Sequence, residues 1–166
     1  MTKVVFGDHG QIAEQILQQP EKVGSLLSWH DDRIHVGLIV DAPGLPARTC
    51  TDLFSMADFG NLVLGARQGR LDVPQRGCVP VQFDPIYNES VKAAYARVGC
   101  EKYAKGFKLL RSKTDKYVLY HDGVEEYYVL PDEWTNRLGE PGAGAAAARL
   151  RAQLVDRDFP EFSPRA

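Results

Sequence analysis

The stretch Lys116–Leu130, KYVLYHDGVEEYYVL, sets two runs of β-branched and aromatic residues on either side of Asp122-Gly123. Such runs favour extended backbone, and Asp-Gly suits a two-residue type I′ turn, whose central positions both need positive φ. The stretch therefore predicts a β-hairpin, Lys116–Tyr120 against Val124–Leu130. A two-residue turn sets a register in which Tyr120 faces Glu125 and Tyr117 faces Tyr128.

Upstream the period changes to that of helices. Asn88 or Ser90 caps a helix with Val91, Ala94, Tyr95 and Val98 on its apolar face, and Gly99 stops it. Tyr103, Phe107 and Leu110 recur at spacings of four and three, which predicts a further helix over Glu101–Arg111. Val79–Phe83 predicts a short strand after a loop over 68–80, where two glycines and two prolines fall. Thr51 or Asp52 caps a short helix through Leu53, Phe54, Met56 and Ala57, while Gly60 and Gly65 argue against a longer one, so Leu62–Leu64 is read as the start of a strand. Ile34–Val40 is the clearest buried strand, stopped by Asp41-Ala42-Pro43-Gly44, and His30-Asp31-Asp32 before it is a polar corner. Val4–Phe6 opens the chain as a strand. Gln11–Gln18 follows as a helix, with a second helical turn from Pro20 to Trp29.

Downstream, Pro131-Asp132-Glu133 predicts a short helix around Trp134 and Leu138, and Gly139–Gly144 a break. Ala145–Val155 is a helix with Ala147, Leu150 and Leu154 as its apolar stripe. The order of elements gives an α+β class: one domain over 1–158 with a small mixed sheet, the hairpin at about 116–130 and flanking helices, then a loose tail over 159–166.

Composition bounds the rest. With 166 residues, 44% apolar and 25% charged, the chain is long enough to bury a core and too polar for a membrane class. Its apolar runs fall far short of the roughly 20 residues that span a bilayer, and the N-terminus has no apolar signal core. Cys50, Cys78 and Cys100 lie far apart, whereas zinc knuckles need close ligand pairs; the expectation is reduced thiols in a cytoplasmic protein with no metal.

Several motifs look like chemistry. Gly7-x-x-Gly10-x-x-Ala13 lies between a strand and a helix, where a dinucleotide turn would sit, but the usual first glycine pair is missing. Asp41, at the end of the next strand, also lies 28 residues beyond Ala13 where about 20 are expected. Leu38–Gly44 has the strand-then-acid form used by GTPases without their Gly-Lys phosphate loop. His30-Asp31 has the form of a metal-binding pair, but the other histidines lie in unrelated settings, so a solvated corner is the reading taken. No G-x-S-x-G elbow is present, and no cofactor is expected.

One quantity stands out. Lys92–Lys116 holds eight cations and two acids, a net +6 in a chain of net −2, so the remaining residues sum to −8. On the expected helix Lys102, Lys105, Lys108 and Arg111 share a face, with Lys113 beyond it and Tyr117 and Tyr120 as stacking surfaces on the hairpin. The functional expectation is a non-enzymatic binding or regulatory protein that holds an anionic partner, either an acidic protein surface or a nucleotide or nucleic acid, through these seven residues. The alternative is an enzyme acting on a nucleotide or phosphorylated substrate, with the Gly7–Ala13 turn as phosphate cradle and His9, His30 or His121 as acid–base group.

Overall fold

The computed structural model describes residues 1–7, 29–71, 73–86 and 88–155. The elements run β1 (Lys3–Phe6), α1 (Asp31–Ile34), β2 (Leu38–Asp41), α2 (Phe59–Arg67), β3 (Cys78–Phe83), α3 (Glu89–Arg97), α4 (Glu101–Ala104), β4 (Phe107–Ser112), β5 (Asp115–Tyr120), β6 (Glu125–Val129) and α5 (Ala143–Val155). The α+β class holds. The strands form a two-stranded ribbon, β1-β2, and a four-stranded sheet in the order β3-β4-β5-β6. Every pairing is antiparallel, where the sequence suggested a mixed sheet. The helix over Gln11–Gln18, the turn from Pro20 and the tail lie outside the described residues.

Strand alternation sorts the larger sheet into two faces. Phe107, Leu109, Val118, Tyr120 and Tyr128 point to one side, where Trp29, Tyr95, Tyr103 and Ala104 complete a core. Leu110, Tyr117 and Tyr127 point to the other, against Ala147, Leu150 and Leu154 of α5. The sheet is thus sandwiched between α5 and a layer built from Trp29, α3 and α4. The α5 stripe is the one its spacing predicted.

Four local readings change. The Glu101–Arg111 helix stops at Ala104, because Gly106 adopts φ +77° and Phe107 begins β4. Tyr103, Phe107 and Leu110 keep their apolar role but from two different elements. Leu62–Leu64 lies inside α2, where Leu62, Gly65 and Ala66 are buried; Gly65 packs, Gly60 stands exposed in the first turn, and neither breaks the helix. Ile34 ends α1, and of the expected strand only Leu38–Val40 is extended, in a β2 that runs on to Asp41. Around Trp134 the backbone forms turns with no helix.

The hairpin exists, but its loop has three residues. Gly123 N–H donates to Tyr120 O at 2.9 Å, Tyr120 N–H to Val124 O at 2.8 Å, and Gly123 takes φ +84°. That is a type I turn closed by a glycine bulge. The extra residue slips the register by one: Tyr117 faces Tyr127, and Leu119 faces Glu125. Lys116 consequently faces Tyr128.

Gly106 and Gly123 separate two uses of positive φ. A Cβ on Gly106 would lie 2.5 Å from Pro85 N, whereas one on Gly123 meets nothing within 4 Å. Gly106→Ala should therefore cost roughly 2–4 kcal/mol, from left-handed strain plus overpacking, and Gly123→Ala about 1 kcal/mol from strain alone. Urea unfolding of the two variants checks this, and equal losses would contradict it.

Candidate functional site

The densest convergence of ionisable groups lies on the Trp29 side of the sheet. Lys116, on a strand position that shares its side with Val118 and Tyr120, is fully buried. Its Nζ donates to Trp29 O at 2.8 Å, to Asp31 Oδ1 at 2.9 Å and to Glu133 Oε1. Three donors meet three acceptors, and the ammonium also lies 5.5 Å from the centroid of the Trp29 ring. Arg111, the cross-strand neighbour of Lys116, forks onto Asp31 through Nε at 3.2 Å and Nη2 at 2.7 Å. Glu133 in turn accepts the Asp31 N–H, at 2.9 Å through Oε2. Two cations and two carboxylates thus close a neutral cluster over the start of α1.

His30 sits against this cluster, stacked on Trp29 at 4.1 Å and on Trp134 at 4.6 Å between centroids. Burial, then the charges of Lys116 and Lys102, pull its pKa down to about 3, with Asp31 opposing. Burial alone would raise the Asp31 carboxyl. The Arg111 hydrogen bonds and the Lys116 charge outweigh it and hold that group below the usual carboxylate range. His30 is therefore buried and Asp31 part-buried and paired, which corrects the solvated corner read from the sequence. A histidine this weakly basic is a poor general base at neutral pH, so the cluster's chemistry is to hold the Trp29–Asp31 segment on the sheet.

The structure disperses the seven residues grouped by the sequence. Lys102, on α4, pairs with Glu126 at 3.1 Å and lies over the Trp29 and Tyr103 rings. Lys105 pairs with Asp122 at 2.7 Å, and Lys113 with Asp52 at 2.8 Å. Lys108 is on β4 opposite Gln82 and Leu119, on the α5 side of the sheet. Arg111 points to the opposite side, onto Asp31. Tyr117 and Tyr120 fall on opposite faces and are both buried; Tyr120 donates to Glu126 at 2.7 Å and accepts from Trp29 Nε1 at 2.6 Å. Much of the +6 excess is thus met by carboxylates from elsewhere in the chain. Sequence reasoning missed Trp29, Asp31, Glu133 and Lys116 as a unit. The one legible sign was a lysine at 116 in phase with Val118 and Tyr120.

A concavity of about 640 Å³ opens between α3, α4 and the β5–β6 loop. Its lining combines the apolar Pro85, Ile86, Ala93, Ala96 and Ala104 with Glu89, Lys92, Glu101, Lys105, His121 and Asp122. Three acids against two lysines make it a poor seat for an anion. Among the described residues no group of three His, Cys, Asp or Glu side chains could hold a metal ion, and no helix is long and apolar enough to cross a membrane.

No family model matches the chain, and no curated protein matches it in sequence. Solved structures do match in fold. A candidate sulfatase of Bacteroides thetaiotaomicron superposes with a TM-score of 0.62 at 20% identity, over 93% of this chain and 35% of that one. A 2-O GAG sulfatase gives a TM-score of 0.60 at 17% identity, with the same two coverages. The chain spans about a third of the length of these neighbours, and its fold is one that sulfatase structures contain. This overturns the expectation of a non-enzymatic protein holding an anionic partner, and lends nothing to the nucleotide enzyme built on Gly7–Ala13. Most of that turn lies outside the described residues.

Two measurements test the cluster. Lys116→Met leaves Asp31 and Glu133 without their shared cation and should destabilise the fold by about 3–5 kcal/mol in urea unfolding. The second is pH dependence. His30 binds its proton more weakly folded than unfolded, so stability is full above the unfolded value of 6.5 and falls as pH drops toward about 3. Asp31, held low, adds its loss only below about pH 4, so His30→Gln should flatten the stability profile between about pH 6.5 and 4. An unchanged slope there would contradict the assignment.

Proposed function

We propose that the chain is the supporting part of a sulfatase-like hydrolase of sulfate esters. The observation that carries this reading is the fold likeness, which takes in 93% of the chain. Hydrolysis of a sulfate ester needs a nucleophile aimed at sulfur and cations or N–H donors free to receive the developing oxyanion charge. Lys102, Lys105, Arg111, Lys113 and Lys116 are each paired with a carboxylate, and His30 is buried and weakly basic. The sulfate-handling groups are therefore assigned beyond the described residues. The four-stranded sheet serves as the platform to which the Lys116 cluster pins the segment ending at Trp29-His30-Asp31.

The test is sulfate release, followed by ion chromatography, from 4-nitrophenyl sulfate and from a 2-O-sulfated disaccharide. The protein is used in the assembly it forms in its own cells. Release from either ester is expected, and a Lys105→Ala/Lys113→Ala variant, which loses only surface ion pairs, should keep it within about twofold. Folded protein that releases no sulfate from either ester overturns the reading. A tenfold loss in the double variant overturns the supporting role.

A further inference from the structure

We draw no further inference here: the strongest candidate, the concavity between α3, α4 and the β5–β6 loop, carries nothing because its two lysines are already tied to Glu89 and Asp122, nothing in the structure shows what would fill it, and Tyr87, next in the chain to Ile86 of its lining, lies outside the described residues.

Discussion

The constraint on which the rest depends is the buried ammonium of Lys116. An unpaired charge in the interior is costly by several kcal/mol, so a lysine at this strand position is tolerable only if acceptors are brought to it. Asp31, Glu133 and the Trp29 carbonyl meet that need, and they come from segments far apart in sequence. Meeting it fixes where α1 begins, seats Trp29 on the sheet and draws in the segment after the cis Leu130–Pro131 bond. Arg111 balances the second carboxylate. The outcome is less a source of net stability than a specification of position, because few other arrangements satisfy all four charges.

A second polar cluster does the same work on the other face. Asp115 is buried and accepts from Tyr127 Oη at 3.1 Å, from Arg149 Nη2 at 3.0 Å and from Ser112 Oγ. Arg149 comes from α5, so the helix that covers this face by its apolar stripe is also oriented by one charged contact. Each face of the sheet thus has an apolar layer that supplies most of the burial and one charged point that sets register. Apolar packing alone tolerates sliding; a fork between guanidinium and carboxylate does not.

What could be read from the sequence follows the range of the interactions. The hairpin, the Asn88 cap of α3 and the α5 stripe rest on residues within about ten positions of one another, and all three are present. Asn88 Oδ1 accepts from Ser90 N and Val91 N as a cap should. The Glu101–Arg111 helix failed because Tyr103, Phe107 and Leu110 satisfy a helical period and also fit a helix end followed by a strand. Only Gly106, which has a positive φ and leaves no room for a Cβ beside Pro85, separates the two, and that contact is tertiary. The register slipped for a related reason: Asp-Gly suits both a two-residue turn and the bulged three-residue loop, and packing of Lys116 beneath Trp29 accompanies the second. The cluster itself was illegible. Its carboxylates, Asp31 and Glu133, lie 102 positions apart in the chain, and acids that look like ordinary surface residues become its partners only through the fold.

Charge asymmetry along a chain therefore needs its complement located before it is given a function. A net +6 segment in an acidic protein admits two states: an outward cationic face awaiting an anion, or a set of internal partners for the remaining −8. The two differ in a simple respect. In the first the cations share a surface, and in the second they radiate to separate acids. Here Lys102, Lys105, Arg111 and Lys113 reach Glu126, Asp122, Asp31 and Asp52, which belong to three separate parts of the chain, Glu126 and Asp122 both on the β5–β6 hairpin. The strand geometry that replaces the expected helix makes this unavoidable, since successive strand residues alternate faces and a three-residue spacing sends neighbours such as Lys108 and Arg111 to opposite sides. The basic segment is the half of an internal charge pattern that happens to be contiguous in sequence.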